Sequence, residues 1–292
     1  MTKITGNTKL LGIMGCPIEH SLSPVMHNAA LAARALQRNQ SDLDYVYLPL
    51  RIEPIHLESA LLGMAAMEWQ GFNVTIPHKQ AILPYLKEIS PLAQAVGAVN
   101  TVWQKHGAWV GTNTDVRGFL APLQSLNILW NEVEACVLGS GGSARAVIAA
   151  CAQLGCAVTH VVGRNRCKLE ALQQGVADAG MQIQIHDWQS LNKLLPQMGL
   201  IVNTTPLGMH PHVNASPLDR EAIALLPASA IVYDLIYTPR PTQLLTLAKQ
   251  QGYITLDGLE MLIHQGAAAF EIWIGELPDV SVMRQAALEV LA

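Results

Sequence analysis

The sequence contains few charged residues and few aromatic ones. Among its 292 residues, Asp, Glu, Lys and Arg make up 14% and Phe, Trp and Tyr 5%, whereas hydrophobic residues make up 50%. A chain with so little charge and so much apolar content is expected to fold around a sizeable core and not to be disordered. The formal net charge is only −4 and no run of Lys or Arg occurs. Nucleic acid and anionic membranes are therefore poor candidates as partners.

Long apolar runs and paired cysteines are also missing. No stretch approaches the ~18 apolar residues that a membrane helix needs, and the opening residues MTKITGNTK lack the apolar segment of a signal peptide. The five cysteines form no C-x-x-C pair, so we expect reduced thiols. His210 and His212 form an H-x-H pair, but no Cys or Glu partner accompanies them, so we predict no metal site. These features predict a cytoplasmic protein.

Short apolar runs alternate with segments of helical periodicity along the whole chain. This alternation predicts parallel strands joined by right-handed helical crossovers, which is the arrangement of α/β folds. The predicted strands are 10–15, 45–48, 71–76, 109–110, 133–138, 157–162, 183–185, 200–203 and 230–235. The predicted helices are those that begin at 23 and 54, then 78–87, 116–126, 143–154, 166–178, 189–196, 243–251, 259–274 and 281–291.

A glycine-rich segment lies between predicted strand 133–138 and the helix that follows it. Residues 139–144 read GSGGSA, which matches G-x-G-x-x-G/A with alanine in the third small position. In this pattern Gly139 allows the tight turn, Gly141 lets a pyrophosphate approach the backbone, and Ala144 lets the helix pack closely on the strand. The alternative is a tight turn that binds nothing. The strand–turn–helix context favours a dinucleotide site.

The next predicted strand is followed by a basic segment. NAD enzymes usually have an Asp or Glu here that accepts a hydrogen bond from the ribose 2′-hydroxyl. This chain has Arg164, Arg166 and Lys168 instead, and such cations suit a 2′-phosphate. The alternative is a solvated basic helix start, but cations are unfavourable at helix N-termini. The segment therefore predicts NADP in preference to NAD.

Three polar clusters in the first half of the chain fall at the ends of predicted strands or at the starts of predicted helices. They are HSLSP at 20–24, NVTIPHK at 73–79 and NTD at 113–115. Each also has a simple structural explanation: Ser23 and Asp115 can cap helices, and Lys79 can be a surface lysine. Ligands in open α/β sheets bind beyond the carboxyl ends of the strands, so the clusters could converge on one cleft. A lysine–aspartate pair there would supply the proton that ketone reduction by hydride requires.

Taken together, the motifs resemble those of the shikimate dehydrogenase family over nearly the whole chain. In order, they are GCPIEHSLSPVMHN, GFNVTIPHK, GAVNT, GTNTDVRGF, LGSGGSARA, NTTPLGM, DLIYTP and LDGLEMLIHQGAAAFEIW. The resemblance implies reversible, NADP-dependent interconversion of shikimate and 3-dehydroshikimate, in aromatic amino-acid biosynthesis. It also implies an α/β substrate domain with a mixed, mostly parallel sheet, at 1–115 and completed by helices in 259–292. A Rossmann-type, doubly wound domain at 116–258 would bind NADP.

The resemblance also implies roles for individual residues. Lys79 and Asp115 occupy the positions of the catalytic pair. The implied substrate contacts are Ser21, Ser23, Asn73, Thr75, Asn100, Tyr237 and Gln265. The implied cofactor contacts are Gly139, Ser140, Gly141, Gly142, Ser143, Ala144, Gly163, Arg164, Asn165, Arg166, Lys168, Thr204, Thr205, Leu235 and Gly258.

The sequence departs from the family pattern at two places. Residues 163–165 read GRN where the family usually has NRT, which keeps Arg164 but leaves the strength of discrimination against NAD open. His78 stands where an aromatic or other apolar residue often precedes the lysine. It could perturb the pKa of Lys79, although we expect His78 to have no role in the reaction.

Two other functions remain possible from the sequence. One is a quinate/shikimate dehydrogenase that uses NAD, against which Ser21, Ser23 and the basic segment argue. The other is a non-catalytic NADP-binding regulator on the same fold, which would be expected to lose Lys79 and Asp115. The resemblance allows either a monomer or a homodimer.

Overall fold

The computed structural model describes residues 4–38 and 44–291, which form two compact units. The first unit comprises residues 1–114 and 262–292, and the second comprises residues 115–261. Each unit contains one six-stranded sheet. Because the chain returns to the first unit at its end, that unit is built from two separate segments.

The sheet of the first unit is mixed. Its strands are β1 Lys9–Gly15, β2 Tyr45–Arg51, β3 Gly71–Val74, β4 Glu88–Ile89, β5 Thr101–Lys105 and β6 Ala108–Thr112. β1 pairs in parallel with β2 and β3, and β4 pairs in parallel with β6, whereas β5 is antiparallel to both β3 and β6. The strand order is β2-β1-β3-β5-β6-β4. This arrangement confirms the predicted mixed, mostly parallel sheet.

Helices cover this sheet and enclose an apolar core. They are α1 Ser23–Arg38, α2 Leu57–Ala66, α3 His78–Ala81, α4 Pro91–Val96, α11 Gly258–Ile274 and α12 Val280–Leu291, and the first four residues of α11 belong to the second unit. Phe72 and Val102 are fully buried in neighbouring strands, and Leu61 packs against them from α2. The side chain of Trp273 donates a hydrogen bond of 3.0 Å to the carbonyl of Val102, which fixes α11 on the sheet.

The sequence predicted one long helix where the structure has a single turn. The predicted helix 78–87 is wrong: α3 ends at Ala81, and a 3-10 turn at Leu83–Tyr85 follows. Pro84 explains the break, because proline supplies no amide hydrogen and disfavours a helical conformation at the residue before it.

Three elements of this unit were not predicted: the two-residue strand β4, the helix α4 and the strand β5. The helix α4 begins with Ser90, whose Oγ accepts a hydrogen bond from the amide of Ala93 at 3.2 Å, and ends at Gly97 in a left-handed conformation. The strand β5 pairs with β6 through a turn in which His106 and Gly107 both have positive φ, 51° and 77°. All three elements are short, so hydrophobic periodicity gives little signal for them.

The sheet of the second unit is entirely parallel. Its strands are β7 Glu134–Leu138, β8 Val158–Gly163, β9 Gln184–Asp187, β10 Met198–Asn203, β11 Ile231–Asp234 and β12 Ile254–Leu256. The strand order is β12-β11-β10-β7-β8-β9. This order confirms the predicted doubly wound, Rossmann-type arrangement. The helices are α5 Asp115–Gln124, α6 Gly142–Leu154, α7 Arg166–Ala177, α8 Leu191–Leu194, α9 Arg220–Ile223 and α10 Gln243–Gln250.

The second sheet reverses its strand order between β7 and β10. From β7 the chain proceeds to β8 and β9 on one side, and from β10 it proceeds to β11 and β12 on the other. The loops that leave β7 and β10 therefore diverge and open a crevice at the carboxyl edge of the sheet, where dinucleotides bind in this class of fold. The glycine segment 139–144 and Thr204 begin these two loops.

Candidate active site

Asn100 is the centre of a buried polar cluster in the first unit. Its Nδ2 donates to Thr114 Oγ1 at 3.0 Å and to Gln265 Oε1 at 3.3 Å. Its Oδ1 accepts from the amide of Thr114 at 2.7 Å and from the hydroxyl of Thr101 at 3.0 Å. The structure therefore brings together Asn100, Gln265 and the segment 113–115, which are far apart in sequence.

Asn73 supports this cluster from the neighbouring strand. Its Nδ2 donates to the carbonyl of Asn100 at 3.0 Å and to Thr101 Oγ1 at 3.1 Å, and its Oδ1 accepts from the Tyr47 hydroxyl at 2.7 Å. Both amide hydrogens of Asn73 thus have partners in the protein. These contacts favour a framework role for Asn73, and its predicted contact with substrate stays a prediction.

The pair of serines lies where α1 begins. Ser21 Oγ accepts a hydrogen bond of 3.3 Å from the amide of Ser23, so Ser21, and not Ser23 as expected, accepts an amide hydrogen at this helix start. Ser23 is almost fully buried, and its side chain interacts with the Tyr47 hydroxyl. Burial raises the pKa of the Tyr47 hydroxyl, and the interaction with Ser23 opposes that rise. Tyr47 therefore lies between Ser23 and Asn73.

Sequence reasoning missed Tyr47 as part of this cluster, and it gave Thr101 and Thr114 no role of their own although they lie in the motifs GAVNT and NTD. A tyrosine that points inward from a strand predicts a buried hydroxyl in need of a partner, which was the available signal for Tyr47. The two threonines lie directly beside Asn100 and Asp115 in sequence, but nothing in the sequence shows that their hydroxyls meet at 3.0 Å.

Thr75 and Lys79 lie just beyond β3, next to the end of β1. The amide of Thr75 donates to the carbonyl of Met14 at 2.9 Å, and the carbonyl of Lys79 accepts from the amide of Val99 at 2.8 Å. A Cβ atom at Gly15 would overlap the methyl group of Thr75, so the two strand ends are in close contact. The predicted lysine thus leaves the carboxyl edge of the sheet, beside the residue that precedes Asn100.

Asp115 begins α5 and is only 6% exposed. It directly follows Thr114, whose amide and hydroxyl both contact Asn100. Pairing of its carboxylate with the Lys79 ammonium stays a prediction.

The glycine segment in the second unit has the geometry of a phosphate cradle. Gly139 has φ of 112°, and a Cβ atom there would lie 2.6 Å from Thr204 Oγ1, so only glycine fits. Gly141 and Gly142 are exposed, and a Cβ atom at either would meet nothing within 4 Å. No side chain caps the start of α6. The first amides of α6 therefore face open space, and these residues fit the diphosphate of a dinucleotide.

The basic segment follows β8 at the same edge. Arg164 and Lys168 are exposed, and Asn165 caps α7 by accepting the amide of Lys168 at 3.0 Å. Arg166 Nε donates to Glu170 Oε1 at 2.9 Å within α7, so it already has a carboxylate partner. Arg164, directly after the end of β8, is the guanidinium best placed for a phosphate.

The remaining predicted cofactor residues cluster at the ends of β10 and β11. Thr204 Oγ1 donates to the carbonyl of Leu138 at 2.7 Å, and Thr205 Oγ1 donates to Asn203 Oδ1 at 2.7 Å. A Cβ atom at Gly258 would overlap the carbonyl of Leu235, which explains the glycine there. Tyr237 follows three residues after β11, and burial raises the pKa of its hydroxyl.

Asp234 is a structurally important residue that sequence reasoning did not single out. Its carboxylate is fully buried and accepts hydrogen bonds from Asn203 Nδ2 at 3.0 Å, the amide of Ile236 at 3.1 Å and the hydroxyl of Thr242 at 2.7 Å. Burial raises the pKa of Asp234 to about 6, and the three donors oppose the rise. The residue ties together β10, the loop that carries Tyr237, and the start of α10. The signal was the polar residue at the end of an apolar strand.

The structure also bears on metal and membrane binding. Within residues 4–38 and 44–291, no three His, Cys, Asp or Glu side chains are arranged to hold a metal ion. In the same described ranges, no helix has both the length and the apolar character needed to cross a bilayer. His210 and His212 are exposed, and all five cysteines are free thiols.

Comparison with known proteins identifies the family. Residues 13–102 match the shikimate dehydrogenase substrate binding domain, and residues 258–288 match the shikimate 5′-dehydrogenase C-terminal domain. A shikimate dehydrogenase (NADP(+)) from Microcystis aeruginosa is 53% identical over 99% of both chains.

Solved structures give the same result. The shikimate 5-dehydrogenase of Thermus thermophilus in complex with NADP(H) and shikimate superimposes with a TM-score of 0.84 at 35% identity, over 97% of this chain and 100% of that chain. The quinate dehydrogenase of Corynebacterium glutamicum in complex with NAD is similar too, with a TM-score of 0.84 at 31% identity over 97% and 99% of the two chains. The full-length identity and the shared fold place this chain in the shikimate dehydrogenase family.

Proposed function

We propose that this chain is an oxidoreductase that interconverts shikimate and 3-dehydroshikimate with NADP, in the shikimate pathway. The observation that carries the proposal is the polar cluster around Asn100, which lies beside the lysine turn at the carboxyl edge of the first sheet. The full-length similarity to NADP-dependent shikimate dehydrogenases supports the same substrate and cofactor.

The first unit supplies groups of the right chemistry for a polyhydroxylated acid. Ser21 and Ser23 at the start of α1 offer hydroxyl donors for the carboxylate. Thr75 and Gln265 offer hydrogen bonds to the ring hydroxyls, and Tyr237 is a further proposed contact. Asn100, whose two amide hydrogens bond Thr114 and Gln265, would contact substrate by exchanging one of these partners. The network that holds Asn100 fixes its carboxamide before substrate arrives, which lowers the cost of ordering it on binding.

We assign the proton transfer to Lys79, with Asp115 as its partner. NADP, held by the second unit, would supply the hydride acceptor for the carbon that carries the reacting hydroxyl group. The amine of Lys79 accepts the proton of that hydroxyl during oxidation and returns it during reduction. The carboxylate of Asp115 stabilises the ammonium form of Lys79.

The second unit supplies the cofactor contacts. Residues 139–144 hold the diphosphate at the start of α6, and Arg164 contacts the 2′-phosphate together with Lys168. Thr204, Thr205, Leu235 and Gly258 line the rest of the cofactor. We accordingly propose that 1–115 with 259–292 is the substrate domain and that 116–258 is the cofactor domain.

We also propose that the protein works in the cytoplasm as a monomer or homodimer. Five free thiols suit a reducing compartment. A sedimentation experiment on the purified chain decides between the two oligomeric states.

The test is a comparison of initial rates, followed through the nicotinamide absorbance. Shikimate and quinate are each combined with NADP and with NAD. We expect shikimate with NADP to give the highest kcat/KM, by at least about tenfold over each other pair, which corresponds to about 1.4 kcal/mol in transition-state binding. No turnover of shikimate by a folded protein would overturn the proposal.

A second candidate is a quinate/shikimate dehydrogenase that uses NAD, because a quinate dehydrogenase bound to NAD has the same fold. The same assay separates the two. Comparable rates with quinate and NAD would favour this candidate.

A further inference from the structure

His78, the residue before Lys79, has a contact that the reaction as described does not use. Its imidazole is fully buried, and its Nε2 lies 2.6 Å from the carbonyl oxygen of Ile52. A carbonyl can only accept, so the ring carries its proton on Nε2 and donates it. The other ring nitrogen, Nδ1, has no hydrogen-bond partner among the residues that the structure describes. The ring is therefore held by one directed bond.

The helix α3, which carries Lys79, is too short to be stable without contacts to the rest of the unit. α3 is four residues long, and its N-cap Pro77 makes no side-chain hydrogen bond to it. A single helical turn is unstable in isolation, so tertiary contacts must fix it. One of these contacts is a backbone bond of 2.8 Å, from the amide of Val99 to the carbonyl of Lys79, whereas the bond from the amide of His78 to the carbonyl of Thr75 is local to the turn. The imidazole adds a side-chain bond, which substitution can remove.

The residue that accepts the hydrogen bond of His78 is itself bonded to the end of β1, which precedes the proposed carboxylate-binding serines. Ile52, which accepts from His78, follows β2 and donates its own amide to the carbonyl of Gly15 at 3.1 Å. Gly15 ends β1 and opens the loop that carries Ser21. The path His78–Ile52–Gly15 thus joins the turn of Lys79 to the loop of the carboxylate-binding serines.

We propose that His78 is a positioning residue, which sets the place of the Lys79 amine relative to the serine loop through its hydrogen bond to Ile52. The inference rests on the proposed function, since it presumes that Lys79 transfers the proton. A displacement of about 1 Å at a reacting group can reduce turnover by about a hundredfold. Removal of the bond should therefore lower kcat more than it raises KM.

The experiment compares His78→Leu, which removes the donor, with His78→Gln, whose Nε2 amide can reach the same carbonyl. Ile82→Val is the packing control, because Ile82 is fully buried at the end of the same helix and the change removes only a methylene group. We expect His78→Leu to lower kcat about 10- to 100-fold and to change KM for shikimate less than about threefold. His78→Gln should recover most of the kcat that His78→Leu loses. Ile82→Val should have the kcat of the wild type.

A second readout needs no turnover. Amide hydrogen exchange at Val99 reports on the bond to the Lys79 carbonyl, and we expect it to accelerate in His78→Leu and to return in His78→Gln. An active wild type with unchanged kcat in His78→Leu overturns the positioning role. Equal losses in His78→Leu and His78→Gln overturn it as well, since packing and not the hydrogen bond would then be responsible. Inactivity of the wild type refutes the proposed function, and unchanged exchange at Val99 in His78→Leu then refutes the link to the lysine turn independently.

Discussion

At the scale of single residues, the proposed chemistry depends on polar groups that the protein itself holds in place. Asn100 contacts Thr101, Thr114 and Gln265, and it is 2% exposed. Because a buried amide with unmet hydrogen bonds is costly, such a cluster strongly favours one arrangement. The backbone of Lys79, whose amine we propose to transfer the proton, lies beside this cluster.

Replacement of Lys79 by methionine tests the proton transfer. Methionine keeps much of the side-chain length but has no proton to exchange, so kcat should fall by about 10²- to 10⁴-fold. Steady-state kinetics measure the effect, and circular dichroism checks the fold. The matched control is Lys87→Met, an exposed lysine in the same unit, which should keep wild-type kcat. A Lys79→Met enzyme with near-normal kcat would contradict the assigned role.

Asp234→Asn tests the buried carboxylate. The folded state raises the pKa of Asp234 from 3.8 to about 6, so the folded state binds this proton more tightly than the unfolded state. Its contribution to stability is therefore fully present below pH 3.8 and is lost as the pH rises through 6, at a cost of about 3 kcal/mol by neutral pH. Asparagine can keep all three hydrogen bonds, with its amide donating to Thr242.

We expect the unfolding free energy of Asp234→Asn, relative to that of the wild type, to be about 2 to 3 kcal/mol higher at pH 7 than at about pH 4. Urea titrations at the two pH values measure this difference. Asp178→Asn, at an exposed position, provides the baseline. A difference between Asp234→Asn and wild type that does not change with pH would show that the carboxylate is ionised in the folded state throughout.

At the scale of elements, the cofactor helix α6 is bounded by two glycines with positive φ. Gly139 precedes it with φ of 112°, and Gly155 ends it with φ of 78°. Only Gly139 also has a close neighbour, Thr204, which belongs to the loop on the other side of the crevice. The turn before α6 and the start of the β10 loop therefore depend on each other.

Substitution of each glycine by alanine separates the effect of the backbone conformation from the effect of the close contact with Thr204. Gly155→Ala should cost about 1 to 2 kcal/mol of unfolding free energy through backbone conformation alone. Gly139→Ala should cost more and should also weaken NADP binding, because its Cβ would displace Thr204. Urea denaturation and calorimetric titration with NADP measure the two quantities. Equal stability losses and unchanged NADP affinity in Gly139→Ala would contradict the close contact with Thr204.

At the scale of the whole molecule, two compact units carry different parts of the proposed reaction. Each has its own six-stranded sheet, one mixed and one parallel. We propose that the unit with the mixed sheet binds the polar acid, and that the unit with the parallel sheet binds the phosphates through a helix start and cations. A ligand that binds one folded unit stabilises it in proportion to the logarithm of its excess concentration.

NADP at about a hundredfold excess over its Kd should stabilise the protein by about 2.7 kcal/mol, and NAD at the same concentration should stabilise it less. Thermal unfolding with each cofactor measures this. Arg164→Ala should lose most of the difference between NADP and NAD, whereas Arg166→Ala should lose less because Arg166 is paired with Glu170. If Arg164→Ala retained the full preference for NADP, the 2′-phosphate would be recognised by other groups.

The sequence alone determined the fold class, the family and most of the long elements. Its signals were local: GSGGSA between a strand and a helix, proline and glycine at helix ends, and apolar runs of strand length. Each of these acts over a few residues, so a linear reading captures it. The same locality explains the errors, since the break at Pro84, the short helix α4 and the strand β5 lie where periodic signals are brief.

Only the tertiary structure decided which polar groups meet. Asn100 and Gln265 are 165 residues apart, and nothing in the sequence predicts the bond between their side chains. Nor does the sequence show that Glu170 partners Arg166, that Asp234 binds three separate segments, or that His78 donates to Ile52. Hydrogen bonds between distant segments depend on how helices and strands pack, and packing is a property of the whole fold.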